Sequence, residues 1–254
     1  MPRINYRLRQ TVPDGPVPVG ATASMAYVRR VYGWLMTGVL LCCAGAWGAF
    51  NIGLPVQAKV GKHVVEAPMT VGLIAEHPYL ACFGFMGLAL IVTMARRIPG
   101  VQTLAFVVFT TFTGMFFGPA IFAAQLAAHS GHTLSGHPVR DAFVLTMCAF
   151  GGLTGYVMVS KRDFSTWGSA LVTGLWVLIG ALVLSIFTHS SAFDLAISSV
   201  AVLLFAGFIV FDTWRVLNRS SHDDAIGDAL ALFLDLANLF LHLLRILGGG
   251  SKSD

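Results

Sequence analysis

The side chains best suited to chemistry lie in the last apolar run, residues 228–248, DALALFLDLANLFLHLLRILG. Asp228, Asp235, Asn238, His242 and Arg245 follow one another at spacings of seven, three, four and three. On an α-helix those spacings place all five on one stripe about 100° wide, with Leu, Ala, Phe and Ile over the rest of the surface. A charged side chain at the middle of a bilayer costs roughly 2.5–3.5 kcal/mol, so such a stripe is expected to face protein or water rather than lipid. A second intramembrane acid, Asp212, stands in IVFDTWR, about three residues before the end of the preceding run. Asp235 lies about six residues into the last run, so at about 1.5 Å per residue both acids sit within about 10 Å of the same membrane boundary. The connection between the two runs is short, which makes them antiparallel neighbours whose carboxylates can meet. Two carboxylates in a poorly hydrated niche resist joint ionisation and exchange protons as one unit, whereas a nearby arginine favours the charged form. Arg96 and Arg97 end the second run at the same depth. Acids and arginine together would form a proton-sensitive latch, and the oxygens of Asp235 and Asp212 would suit a calcium ion.

Such a site needs a bundle to hold it, and the composition supplies one. Hydrophobic residues make up 56% of the 254 residues and charged residues 11%, with a mean hydropathy of +0.76. Soluble domains carry about twice that charge. Seven apolar runs are expected to span the membrane: 31–52, 79–95, 101–123, 142–159, 166–188, 193–214 and 229–247. The fold class is therefore an all-α seven-helix bundle with the C-terminal helix at its centre. Residues 1–30 read as a polar, basic tail with an interfacial segment around Tyr27, and 249–254 as a short C-terminal tail. No short apolar core with a small-residue cleavage site lies near the start, so a cleaved signal peptide is not expected.

Charge sets the orientation. Arg3, Arg7, Arg9, Arg29 and Arg30 precede the first run, Arg96 and Arg97 follow the second, Lys161 and Arg162 the fourth, and Arg215 and Arg219 the sixth. The alternate connections are poorer, with Lys59 and Lys62 in one, Arg140 in the next and none in 188–192. The positive-inside rule then places the N-terminus in the cytoplasm and, after seven spans, the C-terminus outside, an arrangement that suits a bacterial inner membrane. The net charge of +4 reports this topology and does not indicate nucleic-acid binding.

Other residues read as architecture. Gly151 with Gly155, and Gly114 with Gly118, are spaced for close helix contact, and Pro119 is expected to kink or end the third helix. Cys42, Cys43, Cys82 and Cys148 lie within apolar runs and read as small buried residues. Tyr32, Trp34, Trp167 and Trp214 read as interface anchors. His129, His132 and His137 crowd one external loop; zinc could bind such a set, but a Gly/Ser-rich polar loop is the simpler reading.

The runs RVYGWLMTGVLL (30–41), FTGMFFGPAIF (112–122), FDTWR (211–215) and LFLDLANLFLHLLRILG (232–248) resemble the Bax inhibitor-1 family, the transmembrane Bax inhibitor motif proteins, over nearly the whole chain from residue 28. The resemblance implies seven helices with the last wrapped by the other six. It also implies a pH-sensitive calcium leak in which an aspartate pair and a second-helix arginine form the latch. Residue by residue, the pair is Asp212 and Asp235 and the arginine is Arg97, with Arg96 as the alternative. Some members carry an acid in the second helix about three turns before the arginine; here that region reads FGFMGLALIVTMA and has none. His242 also departs from the pattern, which has an uncharged residue there.

Three functions follow. The first is a calcium leak gated by protonation. The second is a non-transporting regulator that binds a membrane-bound quality-control protease or another stress-response partner, with the basic tail as a contact surface. The third, an enzyme, is disfavoured. An intramembrane aspartyl protease would need Gly-x-Gly-Asp, and Leu232, Phe233 and Leu234 precede Asp235, with no Pro-Ala-Leu following. The only lysines are Lys59, Lys62, Lys161 and Lys252, none within a span, which excludes a retinal Schiff base. No cofactor is expected beyond calcium as a bound or permeant ion, and the partners are the lipid bilayer and a possible membrane protein.

Overall fold

A computed structural model of the chain describes residues 25–60, 63–95, 98, 100–131, 133–188, 190–218 and 224–249. Residues 1–24 of the expected tail 1–30 therefore lie outside the described residues, as do Arg96, Arg97, His132 and 250–254 of the C-terminal tail. The described elements are α1 (Met25–Asn51), β1 (Val56–Val60), β2 (His63–Ala67), α2 (Met69–Glu76), α3 (Pro78–Ala95), α4 (Val101–Phe116), α5 (Gly118–His129), α6 (Pro138–Val159), α7 (Trp167–Thr188), α8 (Ser191–Asn218) and α9 (Ala225–Leu247). Six helical stretches are long and apolar enough to cross a membrane: α1, α4 with α5, α6, α7, α8 and α9; α3 contributes a shorter apolar stretch, Gly84–Ala95.

The boundaries have local causes. Asp224 caps α9 by accepting from the Gly227 amide at 2.9 Å, satisfying a donor that the first turn would otherwise leave open. Asp224 also accepts from Gln102 Nε2 at 2.6 Å, which ties that cap to α4. Pro119 has the expected effect: α4 stops at Phe116 and α5 restarts at Gly118 with the proline in its first turn. Pro138 likewise opens α6.

The connection after α1 departs from a purely helical fold. Val56–Val60 and His63–Ala67 pair as an antiparallel hairpin, with Val56 opposite Ala67 and Val60 opposite His63. The valines Val56, Val60, Val64 and Val65 favour this conformation, a signal too short to stand out beside long apolar runs. The first helix also begins at Met25, six residues before the expected limit, because MAYVRR continues its buried face through Tyr27, Val28 and Val31.

Helix α9 packs against α1, α4, α5, α6 and α8, and α8 also packs on α6 and α7. The largest buried cluster joins Leu35 of α1, Phe106 and Phe109 of α4, and Leu232 and Phe233 of α9. Its aromatic seam includes an edge-on contact of Phe109 with Phe233 at 6.5 Å between centroids.

The closest helix crossing is α1 on α4. A Cβ added to Gly45 would lie 2.0 Å from the Thr111 carbonyl oxygen, and one added to Gly114 would lie 1.9 Å from that of Cys42. The Gly114–Gly118 expectation therefore holds on this face. Gly151 and Gly155 do not make such a contact: both are exposed, with nothing within 4 Å of an added Cβ. The face of α6 that packs inward carries Ala142, Thr146, Thr154 and Val157 instead. Cys43 and Cys148 are likewise exposed on outward helix faces and Cys42 is only half-buried, so these three are not fully buried as expected; the Cys82 side chain lies outside the described residues. Tyr32 and Trp34 turn inward rather than to an interface, against Phe150 at 6.2 Å and Phe106 at 5.8 Å.

Candidate functional site

The polar stripe of α9 faces α8 along most of its length. The two helices run antiparallel, so residues early in α9 meet residues late in α8. Asp228 meets Arg215, Asp235 meets Asp212, His242 stacks on Phe205 and Arg245 meets Asp194. Lipid exposure of these charges is avoided by pairing along a helix seam, as the cost of burying them requires.

At one end the acids cluster. Asp212, Asp228 and Asp235 are all buried. Asp235 stands within side-chain hydrogen-bonding reach of Asp212, and its Oδ2 has no partner among the described residues. Arg215 reaches Asp212 Oδ1 with one terminal nitrogen at 3.2 Å, and Asp228 Oδ1 with the other at 3.8 Å. Tyr27 of α1 donates from its hydroxyl to the other oxygen of Asp228 at 2.7 Å. One continuous polar chain therefore runs Tyr27–Asp228–Arg215–Asp212–Asp235 across α1, α9 and α8. Tyr27, expected at an interface, is instead 3% exposed in this network.

The remaining stripe residues divide. Asn238 turns its amide back to the Leu234 carbonyl at 2.8 Å, an intrahelical bond that makes no cross-helix contact. His242 lies flat on Phe205, 6.0 Å between centroids and 18° between planes. A cavity of about 380 Å³ runs between α7, α8 and α9, with Asp212, Asp235, Asn238 and His242 on its polar side. Its other walls come from Leu175, Leu178, Phe205 and Phe208. At the far end of the seam the Arg245 guanidinium meets Asp194 Oδ2 at 3.1 Å.

Arg215, Asp194 and Tyr27 were not legible as site residues from their types alone. Arg215 falls three residues after Asp212, a spacing that puts both on one helix face. Asp194 carries the opposite sign to Arg245 at the matching end of an antiparallel pair. Those two signals could have found them. Tyr27 carries no such signal, because its contact spans 201 residues of sequence. Arg96 and Arg97, expected at the acid pair, fall outside the described residues. Among the described residues no three His, Cys, Asp or Glu side chains gather as a metal site; His129 bonds the Gln125 carbonyl of its own helix at 2.8 Å.

The Arg245–Asp194 contact supports a direct test. The Asp194 side chain is 6% exposed and that of Arg245 41%, so Arg245→Met takes the guanidinium at 3.1 Å away from a largely buried carboxylate. A fully buried pair broken this way costs about 3–5 kcal/mol; the half-open arginine lowers the expectation to about 2 kcal/mol. Thermal melting in detergent should register that loss, and adding Asp194→Asn should recover most of it.

Apolar helices of spanning length, joined by a seam of buried ionic contacts, define a polytopic integral membrane protein with a polar interior. The chain belongs to the Bax inhibitor-1 family: the family model described as "Inhibitor of apoptosis-promoting Bax1" matches residues 24–252. It is similar to protein lifeguard 4 of Mus musculus, 32% identical over 228 residues, covering 90% of this chain and 87% of the relative. Inner membrane protein YbhL of Escherichia coli (strain K12) is 30% identical over 236 residues, covering 87% and 91%. Bax inhibitor 1 of Schizosaccharomyces pombe is 35% identical over 149 residues, covering 58% and 52%.

Proposed function

We propose that this protein is a pH-sensitive calcium leak whose gate is the Asp212–Asp235 pair. The observation that carries the reading is the meeting of two buried carboxylates from adjoining helices beside a guanidinium, on the wall of a cavity within the bundle. In this reading α3 completes a seven-helix bundle around a central α9, the N-terminus is cytoplasmic and the C-terminus outside. The ionised pair is held by Arg215 together with Arg97 or Arg96, and this hold keeps α8, α9 and the second span together. A proton taken up by the pair removes a negative charge, weakens the attraction to the arginines and loosens that end of the seam. Calcium suits this reading, because carboxylate oxygens are its preferred ligands and Asn238 lines the same cavity. In this reading calcium is cargo and not a resident ion.

The test is calcium efflux from liposomes holding the purified protein across pH 5–8. Efflux should rise severalfold as pH falls, because the latch is engaged when the pair is ionised and released as it protonates. Absent efflux at every pH, or efflux independent of pH, would overturn the reading.

A second reading is favoured by the wording attached to the family, an inhibitor of apoptosis-promoting Bax1. Under it the protein regulates a membrane-protein partner through residues 1–24, which precede α1. Deleting 1–24 should abolish partner co-purification and leave efflux unchanged if tail and leak are separate devices; a deletion that stops efflux and spares co-purification would reject this reading.

A further inference from the structure

Three buried acids, Asp212, Asp228 and Asp235, converge where α8 ends and α9 begins, and one described guanidinium, Arg215, serves two of them. Its grip is unequal. The contact to Asp212 at 3.2 Å is a hydrogen-bonded ion pair, whereas 3.8 Å to Asp228 is electrostatic proximity only. Asp228 is itself fixed, because Tyr27 donates to its other oxygen and the Asp224 cap holds the first turn of α9. Arg215 is the most exposed of the three: its side chain is 39% exposed while those of Asp212 and Asp228 are 8% and 3%. Its Nε is buried without a hydrogen bond, and the guanidinium carbon lies 5.8 Å from the Phe211 ring centroid. The guanidinium thus lies between Asp212, which it grips, and Asp228, which stands within 4 Å of its other terminal nitrogen.

We propose that Arg215 is a tethered competitor for the cation site at Asp212 and Asp235, and that Asp228, held by Tyr27, is the seat to which it withdraws when a divalent cation takes that pair. The inference rests on the reading of the pair as a calcium site. Its physical basis is exclusion: a guanidinium and a calcium ion cannot share the same carboxylate oxygens, and each repels the other at contact distance. The alternate seat lowers the energy of the displaced state, because the arginine keeps a carboxylate partner and is not left unpaired at a buried site. Asp228 therefore sets calcium affinity without touching the ion, which makes it a positioning residue, whereas Arg215 is the competing group.

Opposite substitutions must then act in opposite directions. Arg215→Gln removes the competitor and should lower the calcium concentration for half-maximal efflux about tenfold. Asp228→Asn removes the alternate seat, leaves the arginine on Asp212 and should raise that concentration about tenfold, with Asp228→Glu restoring it. In Arg215→Gln the further change Asp228→Asn should have little effect, since Arg215 is no longer there to relocate. Direct calcium titration of the purified protein by calorimetry gives the same ranking without any need for transport. Opposed shifts in binding, with no efflux in any variant, would sustain the competition and overturn the leak. Efflux with unchanged or like-signed calcium dependence in the two variants would overturn the competition and spare the leak. Absence of calcium binding in both wild type and Arg215→Gln would overturn both.

Discussion

Calcium efflux from Asp235→Asn proteoliposomes is expected to stay constant within about twofold across pH 5–8, where the wild-type protein changes severalfold. Asp235 is 6% exposed and faces Asp212, which Arg215 holds at 3.2 Å. In the proposed latch the proton response comes from two carboxylates sharing one poorly hydrated niche. Asparagine keeps the size and the acceptor oxygen but carries no charge and takes up no proton. Asp212 is then left beside the Arg215 guanidinium with no second carboxylate to share a proton. The constant level should be low, because Arg215 keeps its partner and nothing releases it. Removal of one of two like charges should not weaken the fold, so a thermal midpoint equal to or above that of the wild type separates this outcome from misfolding. A preserved pH response with Asp235→Asn would reject the pair as the sensor.

The largest expected effect on stability lies far from the acids. Gly114→Ala places a methyl group 1.9 Å from the Cys42 carbonyl oxygen and 2.8 Å from the Ala46 amide nitrogen. Both obstacles are backbone of α1, so no side-chain rotation relieves the clash and the two helices must separate. Their contact buries Leu35, Phe106 and Phe109 almost completely, and that packing would open along the seam. Overpacking commonly costs about 1–3 kcal/mol; a backbone-against-backbone clash should exceed that, lowering the thermal midpoint by roughly 10 °C or preventing assembly. Gly151→Ala is the matched control, since an added Cβ there meets nothing within 4 Å. Equal effects of the two substitutions would mean that the α1–α4 crossing is not as close as described.

The contrast between those glycines illustrates how sequence and structure divide the information. Both pairs have the same spacing, and spacing identifies a face that permits close approach. Which face has a neighbour depends on how helices distant in the chain are arranged, and α6 happens to turn Gly151 and Gly155 outward. The polar stripe of α9 was legible because 3.6-residue periodicity gathers Asp228, Asp235, Asn238, His242 and Arg245 on one side, and burial cost forbids lipid on that side. Asp212 was legible as its companion because a short connection makes α8 and α9 antiparallel neighbours.

Membrane insertion, the apolar runs, the helix break at Pro119 and the set of intramembrane charges were thus determined by the sequence alone, because each follows from local composition and the energetics of a bilayer. Only the tertiary structure decided the pairing: Asp194 with Arg245, Arg215 shared between Asp212 and Asp228, and Tyr27 drawn from the first helix to the last. Those contacts depend on the rotation and depth of one helix against another, which hydropathy leaves free and side-chain packing in three dimensions selects.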